Sequence, residues 1–163
     1  MSEVAQWTAE LESPDLAAQA RAAEALAQHA DEVQQALVAL TRRCSSSDES
    51  VANWCTSAIE DGGAPTTEQI PELTALLKDK HEGVVYWAVT LLGRAGRFSA
   101  DGAGDIASCL SHTSAEVRQR AAWALGQIGA KDEPVLAALR KAAHDKGAIA
   151  KHAQRALERL TEA

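Results

Sequence analysis

Aromatic residues are scarce in this chain of 163, making up 4% of it with one Phe, one Tyr and four Trp. A β-sandwich or barrel core is filled by runs of Val, Ile, Tyr and Phe, so that shortage argues against both. Cysteine is nearly missing as well. Cys44, Cys55 and Cys109 are an odd number without CxxC spacing, which points to neither a disulfide framework nor a zinc site. They read as small core fillers in a reducing compartment. No stretch approaches the roughly 18 apolar residues of a membrane helix, and the polar start Met1–Glu10 lacks the basic and apolar regions of a secretion signal. The expectation is a cytoplasmic protein that engages no membrane. Positive charge is also short: 16 Lys and Arg against 23 Asp and Glu leave a formal charge of −7. That balance disfavours holding a phosphate backbone by counterion release, so nucleic acid is not an expected partner.

What the chain has in abundance is alanine, 35 residues of it, and a repeat. Alanine is the strongest helix former and lets helices pack at short range, which predicts an all-α fold. Sliding the sequence against itself reveals a period of 33 residues. One register reads Leu26, Ile59, Leu92, Leu125; four residues upstream it reads Ala22, Cys55, Ala88, Ala121; the stripe begins at Ala18, Val51, Val84, Val117. Within a repeat these positions mark one face of a helix, here termed an A helix. Near its end stand Ala30, Gly63, Gly96 and Gly129, where glycine supplies a left-handed stop.

A second stripe of the same period, Leu37/Ile70/Ala103/Leu136 and Leu40/Leu73/Ile106/Leu139, marks the partner B helices. Carried back one period, the B register falls on Val4, Trp7 and Leu11, an orphan helix that would cover the first A helix. Ile149, Ala153, Ala156, Leu157 and Leu160 repeat the A stripe with one deletion. The predicted layout is a single domain, 1–163, of about ten helices. It comprises an N-terminal capping helix (1–12), four helix pairs (13–45, 46–78, 79–111, 112–144) and a C-terminal capping helix (145–163). One pair cannot bury both of its apolar faces, so neighbours must stack into a continuous core.

The residues Ser114-Ala-Glu-Val-Arg-Gln-Arg-Ala-Ala-Trp-Ala-Leu-Gly-Gln-Ile-Gly129 closely resemble the A-helix signature of HEAT-like repeats of the phycobilisome-lyase type. Ile70-Pro-Glu-Leu-Thr-Ala-Leu-Leu-Lys-Asp79 resembles the B helix of that family, with Pro71 as the proline near its start. The resemblance implies an α-α superhelix of HEAT/armadillo type whose B helices line a concave surface. It implies no single activity, because the architecture hosts adaptors, bilin-attachment lyases, a di-iron hydroxylase and DNA glycosylases.

Chemistry-bearing patterns are few. His81-Glu82 is the only His-Glu pair and lies in a turn, without the second pair that a di-iron site of the hydroxylase kind requires. His112 and His144 occupy inter-repeat turns and lack a third ligand, so no metal or other cofactor is expected. The cysteines have no neighbouring His to activate them, and Ser45-Ser46-Ser47-Asp48 reads as a helix N-cap. No catalytic constellation emerges, and the chain is not expected to be an enzyme.

The outward positions of the B helices are small and mixed in sign, with acids at the centre, a surface suited to a helix or extended segment of another protein. The expected contacts are Gln35, Val38, Arg42, Pro71, Glu72, Ala75, Asp105, Ser108, Ala138 and Lys141. Trp54 and Trp87 share one repeat position, with Arg21, Arg120 and His152 in the other rungs. They are candidates for an exposed aromatic patch or for seam packing between A helices. The function that follows is a non-catalytic protein-interaction module or adaptor; the alternative is a bilin-lyase-like enzyme or cofactor-attachment chaperone, and after it a DNA-binding HEAT-like protein. Polar faces at Gln6, Glu10, Gln154 and Glu158 predict a monomer.

Overall fold

The structure is a computed structural model that describes residues 2–162. The described residues form ten α-helices and no strand: α1 (Glu3–Leu11), α2 (Leu16–Gln28), α3 (Leu37–Arg43), α4 (Glu49–Asp61), α5 (Ile70–Leu76), α6 (Glu82–Ala95), α7 (Ala103–Ser108), α8 (Ala115–Ile128), α9 (Glu133–Ala143) and α10 (Ala148–Glu162). Helices α2, α4, α6, α8 and α10 are the A helices; α1, α3, α5, α7 and α9 are the B helices. They gather into two compact units that divide between Gln69 and Ile70.

In the first unit α2 packs along α4, α1 lies on α2, and α3 lies on α4. The A stripe accounts for this: Ala18, Ala22 and Leu26 on α2 and Val51, Cys55 and Ile59 on α4 are all buried. Both helices start on an aspartate. The Asp15 carboxylate accepts from the Ala17 amide at 2.9 Å and that of Asp48 from the Val51 amide at 3.0 Å, so the Ser45–Asp48 run is an N-cap as expected. Helix α4 ends at Gly62, followed by Gly63 at φ 70°. Ala30 stands at that register after α2 and cannot take the same stop. There the His29 Nδ1 bonds to the Ala25 carbonyl at 2.8 Å, and the ring rests 4.9 Å from that of Trp7 on α1. A histidine thus closes the helix end where glycine is missing.

In the second unit the A helices α6, α8 and α10 lie in succession, with α6 against α8 and α8 against α10. Behind them α5 packs on α6, α7 on α8 and α9, and α9 on α10. The register residues Val84, Ala88, Leu92, Val117, Ala121 and Leu125 are buried. Helices α6 and α8 end at Gly96 (φ 57°) and Gly129 (φ 78°). Close approach depends on glycine within the helices. A Cβ at Gly93 would clash with the Trp123 ring and stand 3.0 Å from the Ala124 Cβ, and one at Gly126 would stand 3.2 Å from the Ala156 Cα.

Three expectations need correction. Three of the B helices do not begin as α-helix: short 3-10 segments at Val33–Ala36, Thr67–Gln69 and Gly96–Gly102 precede α3, α5 and α7, and Cys109–Ser111 follows α7. The α7 stretch is the most broken because Gly96, Ser99, Asp101, Gly102 and Gly104 are weak helix formers. Val38, expected on the outward surface, is buried at 8% exposure. Helix α1 packs against α3 and the Val33–Ala36 segment. Cys44 is half-buried rather than a core residue, its Sγ donating to the Thr41 carbonyl at 3.1 Å, whereas Cys55 and Cys109 are buried.

Candidate binding surfaces

The two units differ in charge. Residues 1–69 carry three Lys or Arg against twelve Asp or Glu; residues 70–163 carry thirteen against eleven. The first unit is therefore strongly acidic and the second nearly balanced.

On the B side of the second unit, α7 and the Cys109–Ser111 segment face α9 across a pocket of about 470 Å³. Its walls are the small side chains of Ala107, Ala138 and Ala142 with Leu110, and its rim carries Lys141, His144 and Asp145. Of the residues expected to make contacts, Ala138 and Lys141 line this pocket. Asp105, half-buried, and Ser108, exposed, sit beside it on α7 without lining it, and Pro71, Glu72 and Ala75 are exposed on or at α5. The Asp105 carboxylate lies 3.8 Å from the Lys78 ammonium, an exposed pair of the kind that contributes little to stability. In the first unit Gln35 is exposed and its carbonyl accepts from the Gln69 amide at 3.2 Å. Arg42 reaches Glu12 at 3.2 Å, which ties it to the end of α1.

On the A side of the second unit is a cluster that periodicity did not single out. The Arg120 guanidinium lies over two rings, 4.9 Å from the centroid of Tyr86 and 5.1 Å from that of Trp123. It also donates to the Tyr86 hydroxyl. A guanidinium this near two aromatic rings is attracted by cation–π interaction with each. Trp87 is half-buried and packs edge-on against Tyr86 at 5.3 Å. Trp54 is also half-buried but belongs to the first unit, where it borders a shallow pocket of about 340 Å³ with Ser50, Asn53 and Ser57.

The HEAT-repeat family model matches residues 70–158, more than half of the chain and all of it within the second unit. The chain belongs to the HEAT-repeat family. No curated protein matches it. Among solved structures, this HEAT-repeat chain is similar to an engineered protein of the Northeast Structural Genomics Consortium, with 22% identity over 98% of this chain and 80% of that one, at a TM-score of 0.66. It is also similar to a designed armadillo repeat protein in complex with the peptide (KR)4, with 22% identity, coverage of 96% and 81%, and a TM-score of 0.65. A third match is a computationally designed armadillo repeat protein for modular peptide recognition, with 23% identity, coverage of 96% and 82%, and a TM-score of 0.64. At these identities the likeness establishes the fold, an all-α repeat of the armadillo/HEAT solenoid class.

Within this HEAT-repeat framework the reactive groups are quiet. Burial pushes the Cys55 thiol up to about 12, with the neighbouring Cys44 adding to the shift, and burial pushes Cys109 up to about 11. Neither ionises near neutral pH, and only thiolates are nucleophiles. His81 precedes α6 with its Nδ1 3.0 Å from the Asp79 carboxylate, and the His112 Nδ1 accepts from the Ser114 amide at 3.0 Å. Both histidines shape turns between helices. Among the described residues no three His, Cys, Asp or Glu side chains gather as a metal site would require, and no helix is long and apolar enough to cross a membrane.

Proposed function

We propose that this chain is a non-catalytic interaction module that binds an extended segment of another protein along the B helices of its second unit. The observation that carries the reading is the pocket between α7 and α9, whose alanine walls leave room for an incoming backbone and its side chains. Asp105 on α7 supplies an acid at the centre of that surface, Glu72 another at its α5 end and Lys141 a cation at its α9 end, so a segment with basic residues facing α5 and α7 fits it. The neighbours in fold support the choice of ligand class, since one was solved with a basic peptide and another was designed for peptide recognition.

The test is a titration of the purified chain with a labelled peptide of alternating Lys and Arg, read by fluorescence anisotropy, beside a peptide of alternating Glu and Ala. Changing Glu72 and Asp105 together to Lys is expected to weaken the basic peptide by about tenfold or more. Unchanged affinity in that variant would place the binding surface elsewhere.

A further inference from the structure

The Arg120 cluster opens onto a groove that the reading above does not use. Two adjoining depressions, about 400 Å³ and about 310 Å³, share Trp123 and His152 in their lining and together make a channel-like groove along α8 and α10. On α10 the lining residues His152, Arg155, Ala156 and Arg159 follow helical spacing and present one face. Helix α8 contributes Arg120 and Trp123 to the opposite wall. The floor is close-packed at Gly126 against Ala156.

The electrostatics of this channel run against those of the whole chain, which carries −7. Arg155 and Arg159 are exposed, and neither forms an ion pair or a hydrogen bond among the described residues. Glu116 also lines the channel one turn before Arg120, and it makes no ion pair with Arg120 among the described residues. Arg120 itself spends one donor on the Tyr86 hydroxyl and is clamped by two rings. A guanidinium has five N–H donors in a planar fork, so donors remain for a carboxylate. Because the rings hold its orientation before any partner arrives, less conformational freedom is lost on binding.

We propose that the groove between α8 and α10 is a second docking surface, for an acidic segment of another protein, with Arg120 as a fixed carboxylate anchor and Arg155 and Arg159 as flanking contacts. Three arginines beside the half-buried rings of Tyr86 and Trp123 match alternating carboxylates and apolar side chains, and arginine with tryptophan is the usual composition of an interface anchor. The surface lies on the A helices, so it can be occupied together with the B-helix surface and by a ligand of opposite charge.

The purified chain is titrated with a labelled peptide of alternating Glu and Leu, with a labelled single-stranded oligonucleotide as the competing class. Saturable peptide binding is expected, weakened about tenfold or more in Arg155→Glu/Arg159→Glu, with the fold checked by circular dichroism since both side chains are exposed. Arg120→Lys keeps the charge but loses the planar fork, and it is expected to weaken binding several-fold. Arg21→Glu/Lys80→Glu changes the net charge equally at two exposed side chains that do not line the groove, and is expected to leave affinity unchanged. The proposal is overturned if no peptide binding is seen, if the Arg21/Lys80 variant loses as much affinity as the Arg155/Arg159 variant, or if the oligonucleotide binds more tightly and responds to the same substitutions.

Discussion

In the second unit the A helices approach one another over glycine: Gly93 sits under Trp123 and Ala124, and Gly126 under Ala156. At the same register the first unit has Ala27 on α2 and Glu60 on α4. The second unit thus carries the residues that bring A helices close, ends both α6 and α8 on positive-φ glycines, and contains the whole family match. The first unit keeps the buried stripe, closes α2 with His29 in place of glycine, and concentrates negative charge. A shared periodicity can therefore be met by two local solutions, and the one with interhelical glycine also positions an aromatic clamp. Trp123 lies where it does because Gly93 leaves its ring room, and that ring in turn holds Arg120.

The comparison makes opposite demands on the same pair of residue types. Gly93→Ala adds a methyl group with nowhere to go. It is expected to destabilise the protein by about 1–3 kcal/mol from overpacking, with at most about 1 kcal/mol returned by helix propensity. Ala27→Gly in the first unit is expected to destabilise by about 1 kcal/mol, because there a helix former is lost and no contact is relieved. Thermal melting of both variants checks this, and a stabilised Gly93→Ala protein would break the account of how α6 and α8 pack. The Gly93 variant should also weaken the acidic peptide, since a displaced Trp123 ring no longer clamps Arg120.

A smaller effect separates the buried thiols. Their folded pKa values lie above the ordinary 9.0, at about 12 for Cys55 and about 11 for Cys109. Above pH 9 the unfolded chain releases these protons and the folded one does not. The stability each thiol contributes is therefore fully present below about 9 and is lost as pH rises toward its folded value. Melting followed upward from neutral pH should decline less steeply in Cys55→Ala than in wild type, and Cys109→Ala should flatten it by less. An equal slope in all three proteins would contradict the burial assigned to both residues.

The sequence made the A stripe legible because each register position repeats at 33 and each lies in the core. From Ala18 to Leu125 the expected face is buried throughout. Three features were not legible. Val38 is buried on a helix against which α1 packs, and burial by contacts between elements is not encoded in a single-helix pattern. The division between Gln69 and Ile70 falls where the B register passes through Ile70, Leu73 and Leu77 without interruption, so periodicity carries no mark of it. The Arg120 clamp joins residues offset by one from the repeat: Tyr86 lies 34 positions before Arg120. Comparing equivalent positions paired Trp54 with Trp87 and passed over Tyr86. The available signal was Arg120 and Trp123 one helical turn apart on α8, on a surface otherwise short of aromatic residues.

Whether the B helices of the second unit receive a segment of another protein can be read residue by residue from backbone chemical-shift mapping of the isotope-labelled 17.2 kDa chain. Titration with the alternating Lys-Arg peptide should shift amides in Ala107–Ser111 and Ala138–Asp145, together with those around Glu72 and Asp105, and leave α2 and α4 unmoved. Shifts concentrated in the acidic first unit would show that net charge alone attracts the peptide and would contradict the account.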